Sequence, residues 1–410
     1  MNFEFFVVKR LLGGKSHKSS ISAPIIKIAI AAIAIGVVMM LVSFATGLGL
    51  QEKIRDKIAA FNGHINISNY DNNSSQVTLT PVDKDQDFYP EFNTVDGIAH
   101  VQAVATKFGI IRTETDFEGI VVKGVGTDYN WSYFEDFLIK GELPDVDNKL
   151  NDEVLVSAYL ANRLQLNVGD KIPTYFLRDG SDRPLTRGFV VTGIYDSGFM
   201  DFDKLYVLAD IRHIQRLNRW GENEVGNFEV FLNDFDEIDE KGQEVYENTG
   251  SFLDTQTINQ KYYSIFEWLA LFDFNIALII GIMILVAGIN MITALLVLIL
   301  ERTQMIGILK ALGGNDWSIR KIFLYNAGYL IIKGLFWGNL IGIGILLLQK
   351  YFKLVPLNPE TYYVTEVPVY LSWDYILAVN LGTLILCMLM LIIPSVIISK
   401  ISPSRAIKFE

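Results

Sequence analysis

The chain has 410 residues, half of them apolar, a net charge of −11 and a single cysteine. Cys387 alone rules out an intramolecular disulfide and a thiolate metal cluster, and His17, His64, His100 and His213 are too scattered to suggest a metal site. The acidic balance, concentrated in residues 51–273, argues against nucleic acid or an anionic lipid surface as the main partner, or else is simply a well-solvated surface.

The apolar half is concentrated in a few stretches. At the N-terminus, Phe3-Glu4-Phe5-Phe6-Val7-Val8-Lys9-Arg10-Leu11-Leu12 mixes aromatics with a basic pair, which suits a helix in a membrane interface. The alternative is a plain extension of the next helix, interrupted by Gly13-Gly14 and the Ser-rich run to Ser22. Residues 28–50 carry no Asp, Glu, Lys or Arg and exceed the h-region of a signal peptide, which is about 7–15 residues long. The run passes into Gln51-Glu52-Lys53 and reads as an uncleaved anchor.

Residues 51–273 hold 20 Lys plus Arg against 39 Asp plus Glu, a balance of −19. Short β-rich runs at 121–125, 153–156, 171–177, 189–194, 205–208 and 228–232 are bounded by Gly, Asp or Pro, and helices are expected at 158–166, 211–219 and 237–247. Irregular alternation predicts an α+β domain. Residues 69–96, rich in Asn, Ser, Asp and Thr, read as a loop or insertion.

Three more greasy stretches follow. Residues 274–300 and 375–399 are free of charge, and 322–349 contain only Lys333. Each is long enough to cross about 30 Å of hydrocarbon. The 274–300 run would be about 40 Å long as a helix, and its helical pattern begins near Ile258. It reads as a stalk carrying displacement across the membrane, or as a tilted span.

Basic residues near the ends of these stretches set the orientation. The N-terminal arm has Lys9, Arg10, Lys15, Lys18 and Lys27; the segment after the second stretch has Arg302, Lys310, Arg320 and Lys321; the tail has Lys400, Arg405 and Lys408. The loop with Lys350 and Lys353 also holds Glu360, Glu366 and Asp374. Both termini are therefore expected inside and the acidic domain outside.

The predicted fold is an α-helical membrane protein with four transmembrane helices, arranged 1 + 3, and a large α+β extracytoplasmic domain between helices 1 and 2. Its parts are an interfacial elbow (1–20), helix 1 (21–50), the outer domain (51–257), stalk and helix 2 (258–300), and a cytoplasmic segment (301–321). Helix 3 (322–350), an outer loop (351–372), helix 4 (373–399) and a cytoplasmic tail (400–410) complete the chain.

The cytoplasmic segment runs Glu301-Arg302-Thr303-Gln304-Met305-Ile306-Gly307-Ile308-Leu309-Lys310-Ala311-Leu312-Gly313-Gly314-Asn315-Asp316-Trp317-Ser318-Ile319-Arg320. Gly313-Gly314 reads as a helix stop and Asn315-Asp316 as a new N-cap, giving a helix-turn-helix. Gly307, Ala311 and Gly313 would admit a partner backbone, with Arg302, Lys310, Arg320 and Lys321 as charge at the rim. The bland alternative is a basic loop resting on lipid headgroups. Lys333 would cost about 2.5–3.5 kcal/mol near a bilayer centre, so a polar contact within the bundle is expected unless it snorkels to the headgroups. Gly14-Lys15-Ser16 ends like a phosphate loop, but Lys9 stands where the first glycine is needed, so ATP must be handled by another chain.

The run Glu-Arg-x-x-x-Ile-Gly-Ile-Leu-Lys-Ala-Leu-Gly, with Ile319 and Phe323 after it, resembles the signature of FtsX/MacB-type permeases. Met305 stands where family members often have an acidic residue. Ser16-His17, Phe61-Asn62-Gly63-His64-Ile65, Val168-Gly169-Asp170-Lys171, Val191-Thr192-Gly193-Ile194-Tyr195 with Ser197-Gly198, and Tyr362-Tyr363-Val364 with Val367-Pro368-Val369 narrow the likeness to the LolC/LolE branch. Pro403-Ser404-Arg405-Ala406 is similar to the superfamily tail.

The resemblance implies a non-catalytic permease of the bacterial inner membrane with its large domain in the periplasm. It would pair with a second permease chain, identical or paralogous, and dock a LolD-like ATPase dimer that binds ATP and Mg. It would lift lipoprotein cargo toward a LolA-like periplasmic chaperone. No cofactor, metal or catalytic residue is expected in this chain. Docking candidates are Glu301, Arg302, Gly307, Lys310, Ala311, Gly313 and Gly314. Met39, Met40, Leu41, Phe44, Met283 and Leu285 are candidates to line a cargo cavity, or else ordinary lipid-facing and packing residues. Arg178, Arg183 and Pro184, in the connection 178–187, are candidates for chaperone contact, although this connection is shorter than the hook-bearing form and also reads as an ordinary turn. The alternatives are a MacB-type exporter, an FtsX-like subunit signalling to cell-wall hydrolases, and an ATPase-independent receptor.

Overall fold

The computed structural model describes residues 3–13, 22–73, 75–147, 149–178 and 181–401. Gly14-Lys15-Ser16, the Ser16-His17 pair and the Pro403-Ser404-Arg405-Ala406 ending lie outside the described residues. In chain order the elements are α1 (Phe3–Gly13), α2 (Ser22–Asn62), β1 (Ile65–Asn69), β2 (Val82–Asp83), β3 (Ile98–Arg112), β4 (Phe117–Val125), α3 (Ser132–Glu135) and β5 (Leu138–Gly141). Next come β6 (Glu153–Ser157), α4 (Ala158–Leu164), β7 (Lys171–Arg178), β8 (Ser181–Tyr195), α5 (Met200–Asp203), β9 (Tyr206–Asp210), α6 (Ile211–Asn218), β10 (Glu224–Val225) and β11 (Asn227–Leu232). The chain continues through α7 (Ile238–Asn248), β12 (Leu253–Thr257), α8 (Ile258–Lys261), α9 (Tyr263–Glu301), α10 (Thr303–Ala311), α11 (Asp316–Phe352), α12 (Pro359–Tyr362), α13 (Trp373–Ser395) and α14 (Ile397–Lys400).

Two compact units result. The described parts of Met1–Gln51, Leu269–Pro356 and Glu366–Glu410 form a helical unit, and Glu52–Trp268 with Leu357–Thr365 form a sheet unit. Residues 357–365, assigned by sequence to a separate outer loop, thus belong to the sheet unit, where the Tyr363 ring stacks 4.7 Å from Phe199 and its carbonyl accepts from Lys57 Nζ at 3.1 Å.

Among the described residues, four helices are long and apolar enough to cross a membrane: Pro24–Asn62, Tyr263–Glu301, Asp316–Phe352 and Trp373–Lys400. Small residues let them approach closely. Gly334, Gly338 and Gly342 recur every fourth residue on α11, and a Cβ on them would stand 2.6 Å from Ile33, 2.7 Å from Val37 and 3.2 Å from Leu41 of α2. This is the small-xxx-small packing of membrane helices. A reciprocal amide pair joins α11 to α13, with Asn339 Nδ2 donating to Asn380 Oδ1 at 2.6 Å and Asn380 Nδ2 to Asn339 Oδ1 at 2.9 Å.

Two helix boundaries differ from the sequence reading. Helix α2 does not stop at residue 50 but runs on to Asn62, because Ile54, Ile58 and Phe61 keep an apolar stripe going through the charged stretch. It ends at Gly63, whose φ of +64° and N–H to Ala59 O at 2.7 Å make the left-handed helix stop that glycine favours. The stalk is not one helix from Ile258: α8 ends and Tyr262 (φ −111°, ψ 38°) separates it from α9.

The sheet unit is built on a ten-stranded mixed sheet in the order β12-β1-β11-β3-β4-β9-β6-β8-β5, with β7 paired to β3 and β8. The pairs β4/β9 and β6/β8 are parallel and the rest antiparallel. Beside it, β2 and β10 make a small ladder. Phe61 at the end of α2 fills the core against Phe134, Tyr195, Phe202 and Tyr206, with ring centroids 4.7–6.0 Å away.

A polar layer crosses this core. The side chains of Lys123 on β4 and Glu229 on β11 are 1% and 3% exposed, with Lys123 Nζ 2.7 and 2.9 Å from the two carboxylate oxygens. Lys123 also donates to Phe61 O at 2.8 Å, and Gln102 Nε2 donates to Glu229 at 2.9 Å. Burial pushes the Lys123 pKa down, against the opposing pull of Glu229. A polar cavity of about 80 Å³ lies beside the pair, lined among others by Asn62, Asn66, Thr106 and Lys261. Nearby, burial lowers the His64 pKa to about 4, and its Nδ1 accepts from Leu232 N at 2.8 Å. Burial raises that of Asp203 to about 6, against hydrogen bonds from Ser197.

Candidate functional site

The segment after α9 folds as a helix-turn-helix. Helix α9 ends at Glu301, Arg302 (φ −105°) breaks the path, and α10 follows as an independent helix of 9 residues. Gly313 takes a φ of +86°. Gly314 donates its N–H to Leu309 O at 2.9 Å, and a Cβ there would meet that oxygen at 2.7 Å, so neither position tolerates a larger residue. Asn315 caps α11 by accepting from Trp317 N at 3.2 Å.

The faces of α10 are not those expected from composition. Gly307 and Ile306 are buried, so the small residue serves packing within the helical unit. Lys310 also turns inward, with its side chain 9% exposed beside Asp316 Oδ1 at 2.8 Å, rather than standing at a rim. Arg320 is likewise engaged, donating to the Ser399 hydroxyl. Glu301, Ala311, Gly313 and Gly314 are exposed, and Arg302 is half-buried. The outward face of α10 and the turn is formed instead by Gln304, Ile308, Ala311 and Leu312, with Ile308 47% and Leu312 81% exposed. The sequence reading passed over Ile308 and Leu312, although their spacing of four, on the side away from Ile306, was a usable signal. Among the described residues, α1 meets α11 through the half-buried Lys321, whose ammonium lies 3.9 Å from Glu4.

The cargo-cavity candidates divide. Met39 and Leu285 are exposed, at 44% and 53%. Met40 and Leu41 are buried in the helical core, Met40 with its Sδ 4.0 Å from Thr383 Oγ1 and Leu41 against Gly342, so neither is free to line a cavity between chains. Phe44 stacks on Tyr375 at 5.3 Å, and Met283 packs beside Gly36. Lys333 is not inside the bundle; it is exposed, with its ammonium 4.5 Å above the Tyr329 ring, a cation–π contact one turn back along α11.

In the sheet unit, Pro184 is exposed and lines an open apolar pocket of about 530 Å³ with Ile110, Arg112, Phe117, Tyr175 and Leu177. Phe117 and Leu177 are 70% and 71% exposed. Arg183 is exposed, and the Arg178 side chain lies outside the described residues. Strands β7 and β8 pair as far as Arg178 opposite Ser181, so the connection 178–187 is largely strand. Among the described residues no group of three or more His, Cys, Asp or Glu could hold a metal ion.

Comparison with known proteins fits this architecture. Residues 28–245, more than half of the chain, match the family model of the MacB-like periplasmic core domain, and residues 277–403 match the FtsX-like permease C-terminal. The lipoprotein-releasing system transmembrane protein LolC of Haemophilus influenzae is 25% identical over 69% of this chain and 68% of its own length. LolC of Buchnera aphidicola is 22% identical over 94% of both chains, and LolE of Haemophilus influenzae 21% over 99% of both. The chain belongs to the FtsX/MacB-like ABC-transporter permeases, of LolC/LolE type. In this permease the FtsX-like match covers most of α9 and all of α10 to α14, so α10 is the interhelical segment of the matched permease region. The MacB-like match takes in most of α2 together with the sheet unit as far as α7.

Proposed function

We propose that this permease extracts lipoproteins from the inner membrane and hands them to a periplasmic chaperone, driven by ATP hydrolysis in a separate ATPase. The observation that carries this reading is the likeness to a LolC protein along 94% of both chains. On this reading both termini are cytoplasmic, the sheet unit is periplasmic, and a second permease chain completes the membrane part.

The work to be done is large. Each buried CH₂ holds an acyl chain in lipid by about 0.8 kcal/mol, so a multiply acylated anchor resists extraction by tens of kcal/mol. The permease would contribute an apolar helix surface, including Met39 and Leu285, along which acyl chains can move without meeting water. The ATPase dimer would grip Gln304, Ile308 and Ala311 on α10 and Leu312 at its end, a largely apolar strip that projects away from its own helices. The apolar pocket around Phe117, Leu177 and Pro184 would receive the chaperone.

Depletion of the permease tests the proposal. Lipoproteins destined for the outer membrane should accumulate in the inner membrane on fractionation; unchanged sorting after depletion would refute the reading.

A further inference from the structure

We propose that Lys310 is the positioning residue that fastens the C-terminal end of the last helix to the coupling helix, so that displacement of α10 is passed directly to α14. The inference rests on the reading of α10 as the ATPase-docking element and adds the route by which motion leaves it.

The geometry is a closed three-way contact. Lys310 Nζ stands 2.8 Å from Asp316 Oδ1, 3.0 Å from Ile401 O and 3.2 Å from Ser399 O. An ammonium has three N–H donors and here meets three acceptors, one at the start of α11 and two at the end of α14. The last carbonyls of a helix have no partner within it and attract a cation, so the lysine answers a need that α14 cannot meet alone. Arg320 reinforces the contact by donating to the Ser399 hydroxyl. Ile306 of α10, Ile319 of α11 and Ile398 of α14 are at most 1% exposed in one cluster, so the polar contact sits on a packed apolar base.

Helix α14 is suited to move with α10. Pro394 lies in the last turn of α13, and Val396 separates that helix from the four residues of α14. Proline removes a backbone donor and weakens the turn that contains it. The short terminal helix is therefore held by Lys310 and the isoleucine base as well as by its continuity with α13 through Val396. A push on the exposed face of α10 then reaches the fourth long helix from its end, in addition to the covalent routes through α9 and α11.

The experiment uses the full chain with its ATPase in lipid nanodiscs. Spin labels are placed at Thr303→Cys, at the start of α10 and outside the docking strip, and at the exposed Lys400→Cys, in a Cys387→Ser background, and their separation is measured by pulsed electron resonance with and without nucleotide. With Lys310 present, the separation should stay the same in both states. In Lys310→Gln it should change or broaden on nucleotide binding, and cargo released per ATP hydrolysed should drop by ~10-fold while the ATPase still co-purifies. Lys310→Arg, which keeps the cation, should restore much of the coupling. If Lys310→Gln fails to fold, Asp316→Asn loosens the same contact and is read by the same two signals.

An unchanged separation and undiminished coupling in Lys310→Gln would overturn the inference alone. Loss of ATPase co-purification in Lys310→Gln would also overturn it, making Lys310 a docking contact. If the wild-type chain retains no ATPase, the docking reading falls and takes this inference with it.

Discussion

In the sheet unit most large apolar side chains turn inward and most charges outward, whereas in the helical unit apolar side chains occupy both sides. Val122, Val154, Phe189 and Val207 are fully buried in the sheet unit, while Ile393, Phe336 and Ile35 of the helical unit are exposed at 78%, 62% and 63%. A surface of that kind is stable where the surrounding medium is hydrocarbon. The cores differ to match. Water-facing β-structure gains from excluding solvent from large side chains, and it can bury an ion pair such as Lys123–Glu229 only by saturating it. Helices in lipid have no such driving force between them and rely on close approach at Gly334, Gly338 and Gly342.

The contrast is tested most strongly at the ion pair. Lys123→Met alone leaves Glu229 buried without its partner and should cost ~3–5 kcal/mol in urea unfolding of the sheet unit. Adding Glu229→Leu should recover most of that loss. Equal losses in the single and double variants would show that packing, not charge, dominates there.

Next in size is an acid effect confined to the sheet unit. His64 has a pKa of about 4 in the fold against 6.5 ordinarily, so the unfolded chain takes up the proton first as pH falls. Stability from this group is present above pH 6.5 and is lost as pH drops from 6.5 toward 4, by up to about 3 kcal/mol. Asp203, raised to about 6, acts with the opposite sign: its contribution is present at low pH and is lost as pH rises through about 6. The clean readout is thus the difference in melting temperature between wild type and His64→Gln across that range, which should shrink on acidification.

Helix α10 sharpens the comparison, because it carries exposed apolar side chains between charged neighbours. If protein rather than lipid covers it, Leu312→Glu should weaken ATPase binding by about 2 kcal/mol, roughly 30-fold, in a titration with purified ATPase. Undiminished binding would return α10 to the headgroup-resting alternative. An effect of similar size is expected at Gly338→Ala, whose added methyl meets Val37 Cβ at 2.7 Å and Ala34 O at 2.9 Å. It should cost about 1–3 kcal/mol, seen as a lower melting temperature of the detergent-solubilised chain.

Much of the plan was legible in the residues. Strands β4, β6, β7, β9 and β11 and helices α4 and α6 lie within a few residues of where their Val, Ile and capping patterns put them. Strand β3, 15 residues long, was missed because Ala103, Ala105 and Gly109 dilute its β-branched content. The Gly313-Gly314 stop and the Asn315 cap were readable because their chemistry is local. The directions of Lys310, Met40 and Lys333 were not.

The sequence by itself determined four apolar helices around an acidic domain and the position of the Gly313-Gly314 turn. These follow from hydropathy, charge and capping, which add up along the chain and need no partner. Only the tertiary structure decided that α2 continues to Asn62, that Gly307 and Lys310 face inward, and that Ile308 and Leu312 face out. Which side of a helix is buried depends on what packs against it. When both sides are apolar, as on these helices, no periodicity in the sequence marks the difference.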